Sequence, residues 1–237
     1  MIIRARSIAL AAAALCLAGA AGAAPITAAF DRFGLLNVTF AGTGIPNNAV
    51  AVTTIGGGQT APAELILGLT AHQRYNAAPV TNDGAGTFTA QTGVSLVSPS
   101  PGDPHATWNF GYHIGGTNTT QYSFKLFYDF DPAADTDETA HGRIEFPAGG
   151  FPPVFLQNSW NLGMNFLDGG ATQPSFASFD PNVAGQYTFA LVAYNANGGE
   201  AARSAIVVNV NGVPEPTSLA LVGLALAGLG FVGRRKA

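Results

Sequence analysis

The clearest pattern in the chain is an alternation of apolar and polar side chains over residues 121–131. One face of this segment carries Tyr122, Phe124, Leu126, Tyr128 and Phe130. Successive side chains of a β-strand point to opposite faces, so a period of two is typical of a half-buried strand. We therefore predict a strand over residues 121–131.

The same alternation occurs twice towards the end of the chain. Tyr187, Phe189, Leu191 and Ala193 share one face of the first segment, and Ser204, Ile206, Val208 and Val210 share one face of the second. Residues 195–199, between them, read Asn-Ala-Asn-Gly-Gly, and both Asn and Gly tolerate the positive φ angles of tight turns. The two segments are therefore predicted to form a β-hairpin.

Shorter apolar segments, separated by Gly, Pro and Asn, fill the rest of the region between the termini. They predict strands at residues 35–41, 49–55, 63–69, 86–92, 107–114, 142–146 and 160–167. No stretch in this region has the 3.6-residue period of an amphipathic helix. Many short strands separated by Gly, Pro and Asn favour an all-β fold, a two-sheet antiparallel sandwich of immunoglobulin-like or jelly-roll-like type.

The first 23 residues have the features of a secretory signal peptide. Two arginines precede an apolar stretch at residues 8–18, and small residues at positions 21–23 form a cleavage site. Cleavage after Ala23 is preferred, because cleavage one residue later would place Pro25 directly after the cut. The single cysteine, Cys16, lies in the apolar stretch, so the mature chain is expected to have no disulfide and no cysteine metal site.

The last 25 residues combine three features in a fixed order. Pro214, Glu215 and Pro216 hold the chain extended, since proline is excluded from helix interiors and restricts the residue before it. Residues 218–232 are almost unbroken apolar, and as a transmembrane helix they would span roughly 22 Å of a bilayer core of about 30 Å. A basic cluster, Arg234, Arg235 and Lys236, follows and is predicted to remain on the cytoplasmic side.

This order of elements resembles the PEP-CTERM sorting signal of exported proteins of Gram-negative bacteria, over about a tenth of the chain. The resemblance implies that Pro214, Glu215 and Pro216 form the sorting motif and that Arg234, Arg235 and Lys236 form the stop-transfer cluster. It also implies processing by the membrane protease exosortase. The other expected partners are the secretion translocon, signal peptidase and the inner membrane. The protein would be held briefly in the inner membrane and then reach the cell envelope or the outside.

The two signals leave residues 24–212 as one β-sandwich domain, with a signal peptide at 1–23 and a sorting signal at 213–237. The domain has 13 acidic and five basic residues, and hence a net charge of −8. No basic patch is available to neutralise phosphates, so nucleic acid is excluded as an expected partner.

Five carboxylates fall within ten residues: Asp129, Asp131, Asp135, Asp137 and Glu138. Closely spaced oxygen ligands are what Ca²⁺ binds, so Asp129, Asp131, Asp135 and Asp137 are candidate ligands, and no cofactor other than Ca²⁺ is expected. The EF-hand pattern fails, because Ala134 and Ala140 occupy its glycine and glutamate positions. A solvated acidic loop between two strands is the alternative interpretation.

The remaining candidate chemistry is sparse. Trp108 and Trp160 are interpreted either as anchors of the sheet core or, with Tyr112, as stacking surfaces for a glycan. His72, His105, His113 and His141 lack metal-ligand spacing and are expected to be isolated surface or loop residues. No Gly-x-Ser-x-Gly motif marks a nucleophile, so any serine triad would have to form through the tertiary fold.

Three functions follow from these observations. The leading hypothesis is a non-enzymatic structural or interaction protein of the cell envelope or extracellular matrix, with extracellular polysaccharide as a candidate partner. The alternatives are a carbohydrate- or calcium-binding secreted module and a secreted hydrolase. Buried tryptophans would favour the first hypothesis, exposed coplanar aromatics the second, and a cleft holding a Ser-His pair or two facing carboxylates the third.

Overall fold

The structure, a computed structural model, describes residues 24–57, 61–75, 77–97, 104–148, 155–168 and 178–212. The strands are β1 (Arg32–Gly34), β2 (Val50–Ile55), β3 (Leu65–Gln73), β4 (Thr81–Asn82), β5 (Thr87–Gln91), β6 (Trp108–Gly115), β7 (Ser123–Tyr128), β8 (Gly142–Phe146), β9 (Phe155–Trp160), β10 (Gly185–Tyr194) and β11 (Glu200–Asn211). In these ranges the helical elements are two 3₁₀ turns, Thr119–Gln121 and Glu138–Ala140.

The predicted signal peptide and sorting signal lie outside the described residues. Within the described ranges, none of the helical turns has the length and apolar character needed to cross a bilayer.

The strands form two sheets. The five-stranded sheet has the order β1-β2-β3-β6-β9, and the six-stranded sheet has the order β4-β5-β11-β10-β7-β8. The all-β, two-sheet architecture predicted from the sequence is confirmed. One pairing departs from the predicted antiparallel arrangement, because β5 and β11 run parallel.

The main core lies between the two sheets and consists mostly of aromatic and branched side chains. Trp108, Phe110, Tyr112 and Ile114 point inwards from β6, and Tyr187, Phe189 and Leu191 point inwards from β10. The rings of Phe110 and Phe189 stack across the layer with their centroids 4.6 Å apart. The alternation of the sequence therefore corresponds to the inward faces of these strands.

Both sheets are also covered on their outer faces. Residues 24–30 cross the six-stranded sheet, where Ile26 packs into a small cluster with Phe127, Val192 and Ala205. Two isolated bridges, from Pro25 to Asp137 and from Ala29 to Ala205, hold this segment in place. Ala190 and Val192, at outward positions of β10, are consequently as fully buried as the inward residues.

Most predicted strands are confirmed with shifted ends, but two are wrong. Residues 35–41 do not pair with either sheet, and Phe40 and Ala41 have positive φ angles of 49° and 61°. Residues 161–167 are turns, because the strand at this point is β9, which ends at Trp160. The predicted hairpin is confirmed, with β10 and β11 antiparallel and Gly198 at a φ of 77° in the turn.

Candidate functional site

A loop of residues 35–46, the covering loop, lies across the outer face of the five-stranded sheet. Leu36 and Phe40 are buried there against Val50 and Val52 of β2. The sheet accommodates them because two glycines face the loop. A Cβ atom at Gly68 would lie 2.7 Å from Leu36 Cδ2, and one at Gly111 would lie 3.1 Å from Phe40 Cδ1.

The covering loop is also fixed by hydrogen bonds to the edge strand β9. The Gln157 side chain accepts a hydrogen bond from the Phe40 backbone N–H at 3.1 Å and donates one to Thr39 Oγ1 at 2.9 Å. His113, on the neighbouring strand, also hydrogen-bonds to Gln157. Burial lowers the pKa of His113 to about 4, and the contact with Gln157 acts in the opposite direction.

Between the covering loop and the sheet lies a cleft of about 710 Å³. Its lining consists of residues 40–46 on the loop side and of residues 72–75, His105, Asn109, Asn158, Ser159 and Met164 on the sheet side. Arg74 is the only permanently charged side chain among these described lining residues. A volume of this order is typical of small-ligand sites.

The centre of the cleft floor is a contact between a histidine and a serine. His72 Nε2 lies 2.9 Å from Ser159 Oγ, and His72 Nδ1 lies 2.9 Å from the carbonyl oxygen of Gln73. A carbonyl oxygen can only accept, so Nδ1 carries the hydrogen and Nε2 accepts from the serine hydroxyl. Burial lowers the pKa of His72, with the Gln73 hydrogen bond acting in the opposite direction, so the ring is neutral near pH 7.

Asn109 fixes the other side of Ser159. Its Nδ2 donates to Ser159 Oγ at 2.9 Å, and its Oδ1 accepts from Asn161 Nδ2 at 2.8 Å and from Arg74 Nη1 at 3.4 Å. Two donors on Oδ1 determine which way the Asn109 amide faces. The serine hydroxyl therefore has one acceptor and one donor in defined positions.

Asn161 connects this network to the start of β6. The side chain is buried and donates to the carbonyl of Trp108 at 2.7 Å, and its Oδ1 accepts from the backbone N–H groups of Ala106 at 2.8 Å and Gly163 at 3.1 Å. These contacts replace strand pairing after Trp160 and explain why β9 ends there.

The mouth of the cleft carries an aromatic ring and a cation. Tyr75 is 61% exposed, and the Arg74 guanidinium lies 4.8 Å from the centre of its ring. Arg74 itself is buried and donates to the carbonyl of Val97 at 3.4 Å. The cleft thus combines neutral hydrogen-bonding groups on its floor with an accessible aromatic face at its edge.

The tryptophans named in the sequence analysis lie elsewhere. Trp108 is 2% exposed and packs against Tyr187 and Phe189 in the core. Trp160 is partly buried, with ring centroid distances of 4.7 Å to Tyr112 and 5.0 Å to Phe166. The core-anchor interpretation agrees with these positions, and Trp108 presents no face on which a glycan could stack.

The structure does not bring the predicted calcium ligands together. Asp129 is buried beneath Thr188 and His141, with 3.6 Å between its Oδ2 and His141 Nε2, whereas Asp131, Asp135 and Asp137 are exposed. Burial raises the pKa of Asp129, and the neighbouring His141 acts in the opposite direction. Across the described ranges, no three His, Cys, Asp or Glu side chains converge as metal ligands.

The expectation of surface positions for the histidines is wrong, because all four are buried; His72 and His113 lie on β3 and β6, whereas His105 and His141 lie in loops as predicted. Sequence reasoning also missed Ser159 and Asn109. A usable signal was present for Asn109, since Asn109 and His113 occupy outward positions of β6, whose inward positions are all apolar or aromatic. Such residues need partners when a further layer covers the sheet.

These features define a β-sandwich protein with a ligand-sized cleft and a separate C-terminal signal. Residues 212–236 match the family model of the PEP-CTERM protein-sorting motif, and the chain carries this motif. The predicted motif residues Pro214, Glu215 and Pro216 and the basic cluster lie inside the match. No curated protein and no solved structure shows significant similarity to the chain. The motif implies export, transient membrane anchoring and processing by exosortase.

Proposed function

We propose that the mature protein is a non-enzymatic interaction protein of the cell envelope or extracellular matrix, and that it binds a saccharide in the cleft under the covering loop. The sorting motif supports the destination, and the cleft supports the binding role. The ligand is a segment of extracellular polysaccharide, which is the polymer that an exported matrix protein would meet.

The observation that carries this proposal is the chemistry of the cleft lining. Ser159, Asn109 and Asn158 are neutral polar groups suited to sugar hydroxyls, while Tyr75 offers an exposed ring to the apolar face of a sugar. Arg74 adds a positive charge without an acidic residue among the described lining. Neutral and acidic saccharides therefore both suit the cleft, and cationic ones do not.

A binding measurement on the secreted protein tests the proposal. Calorimetry against neutral and uronate-containing oligosaccharides is expected to show binding, weakened about tenfold, or ~1.4 kcal/mol, by Tyr75→Ala. Asn158→Ala tests the cleft floor, and Asn197→Ala is its matched control, because Asn197 lies in the exposed turn between β10 and β11. Equal affinities of Asn158→Ala and Asn197→Ala, together with an unaffected Tyr75→Ala, would contradict the site.

A secreted esterase is the second candidate, favoured by the 2.9 Å contact between His72 Nε2 and Ser159 Oγ. In this reaction Ser159 Oγ attacks the ester carbonyl while its proton passes to His72 Nε2. The proton then goes to the departing alcohol, and water releases the acid by the same route. The group holding His72 Nδ1 is the neutral carbonyl of Gln73, which stabilises an imidazolium less than a carboxylate does.

A fluorophosphonate probe separates the two candidates. The binding proposal expects no labelling and no hydrolysis of a nitrophenyl ester beyond that of Ser159→Ala. Labelling that disappears in both Ser159→Ala and His72→Gln, with folding retained, would establish the esterase instead.

A further inference from the structure

One end of the sandwich, where β11 ends and the chain leaves towards the sorting signal, exposes apolar side chains. Val94, Leu96, Val97 and Val183 are the members of this group, which we call the exit surface. Leu96 is fully exposed, and Val97 is 57% exposed. Exposed apolar side chains that cluster are a feature of surfaces that meet a partner or a membrane.

Hydrogen bonds place the exit surface directly beside the last described residue, Gly212. The backbone N–H of Thr92 donates to the carbonyl of Asn211 at 2.9 Å, and that of Gly93 donates to the carbonyl of Pro181 at 2.8 Å. The next residues cross to the other sheet, where Val94 bridges to Ala106. Residues 92–97 therefore form a cap over this end of the sandwich, with their apolar side chains facing out.

Only a short segment of chain separates this cap from the predicted membrane segment. Only residues 213–217 separate Gly212 from the apolar segment at 218–232. Fully extended, the six steps from Gly212 to Ser218 reach about 20 Å. The headgroup region on one side of a bilayer is itself roughly 5 to 8 Å thick. An anchored chain therefore holds its exit surface close to the lipid.

We propose that the exit surface contacts the outer leaflet of the inner membrane while the chain is anchored by its sorting signal. This inference rests on the membrane anchoring implied by that signal. Residues 92–97 carry no charge, although the buried Arg74 donates to the carbonyl of Val97 from beneath, and Asp180 shares a turn with Val183, whose N–H donates to the Asp180 carbonyl. The exposed cap itself is uncharged and is flanked by one buried cation and one carboxylate, so its contact with lipid depends on apolar side chains and suits zwitterionic lipid.

Contact between the exit surface and the lipid would bury apolar side chains and would also fix the orientation of the domain relative to the membrane. β10 and β11 connect the exit surface with the turn at residues 195–199. Twelve strand residues place that turn about 40 Å from the membrane end. The exit surface is thus expected to lie near the lipid and the turn far from it, so labels at these two positions can be compared.

The test uses the unprocessed chain, with Cys16→Ser, reconstituted in phosphatidylcholine vesicles. A fluorophore is attached at Leu96→Cys and, as the matched control, at Asn197→Cys, both exposed positions. Flotation with the vesicles measures anchoring, and quenching by a headgroup-attached quencher measures the distance to the lipid. We expect flotation of both and severalfold stronger quenching at position 96 than at position 197.

Each other outcome overturns the inference in a distinguishable way. Failure of both chains to float would remove the anchoring premise as well. Flotation with equal quenching at the two positions would leave anchoring intact and refute lipid contact. Quenching at position 96 that requires an equal mixture of phosphatidylcholine and phosphatidylglycerol would refute the zwitterionic assignment. Concentration-dependent shielding of the label without vesicles would assign the surface to a second copy of the chain.

Discussion

His72 and His113 are buried on the outer face of the five-stranded sheet, and both are held neutral there. Their positions follow from the two-residue period of β3 and β6, which places them opposite the core face. The two-residue period does not indicate that the covering loop forms a further layer on the outer face of this sheet. A histidine on an outward position is solvated in a two-layer sandwich and desolvated in one with a covering loop.

Folding stability is therefore expected to fall as the solution is acidified. An unfolded histidine has an ordinary pKa near 6.5, whereas burial lowers that of folded His113 to about 4. The unfolded chain thus binds more protons between these values. The contribution of His113 is fully present above about pH 6.5 and decreases by up to ~3 kcal/mol as the pH approaches 4. Urea unfolding across this range measures it.

His113→Gln isolates this contribution from the other titrating groups. Asp129 has a raised pKa and therefore favours the folded state as it becomes protonated, which is the opposite sign. The difference between wild type and His113→Gln cancels that effect. A variant that retains the full pH dependence would show that His113 is not the group responsible.

The acidic residues of the loop after β7 are expected to matter little for stability. Asp131 Oδ1 accepts a hydrogen bond from Ala133 N–H, and an asparagine oxygen can do the same. Replacing Asp131, Asp135 and Asp137 together with Asn should change the free energy of unfolding by no more than about 1 kcal/mol. Melting with chelator or with Ca²⁺ checks this. A Ca²⁺-dependent rise in the wild-type melting temperature alone would establish a metal site.

At the scale of elements, residues 35–41 are predicted as a strand and in fact belong to the covering loop, where Leu36 and Phe40 are buried and Val38 is half-buried. An extended segment that lies across a sheet buries alternate side chains as a paired strand does. The period therefore identifies the buried residues correctly but does not identify their hydrogen-bond partners. Phe40 and Ala41, with positive φ, end the extended course in a way that their sequence does not indicate.

The close packing of the covering loop on Gly111 predicts the effect of a larger residue at that position. Gly111→Val would place side-chain atoms where the Phe40 ring and Thr70 already lie, and we expect a destabilisation of about 2 kcal/mol with partial opening of the cleft. Gly212→Val is the matched control, since no atom lies within 4 Å of a Cβ built there. Thermal unfolding compares them, and equal melting temperatures would contradict tight packing at Gly111.

For the whole molecule, the all-β class and the C-terminal sorting motif could be predicted because each depends on local sequence. The cleft could not. His72, Asn109 and Ser159 belong to three strands that are separated in sequence and adjacent in space, so no spacing motif joins them. The end of the last strand could be predicted, since the alternation of the sequence stops at Val210 and β11 ends at Asn211.

The position of the sorting motif after the end of β11 leads us to expect that sorting can be removed without affecting the fold. Changing Pro214, Glu215 and Pro216 to alanine alters residues beyond the end of β11, so the free energy of unfolding should stay within about 0.5 kcal/mol of wild type. Processing should stop, and the chain should accumulate in the inner membrane. Mass spectrometry of envelope and medium fractions measures both forms. Normal release of the variant would show that the motif is incidental.

The position of β11 in its sheet has a mechanical consequence. The strand that leads into the sorting signal is an interior strand, with β5 parallel on one side and β10 antiparallel on the other. Ladder hydrogen bonds lie across the strand direction, so a force applied at Gly212 loads those on both sides in shear rather than opening them one by one. A pulling force on the C-terminal segment, from a membrane or from a cross-linked matrix, is therefore resisted by hydrogen bonds along the whole length of β11.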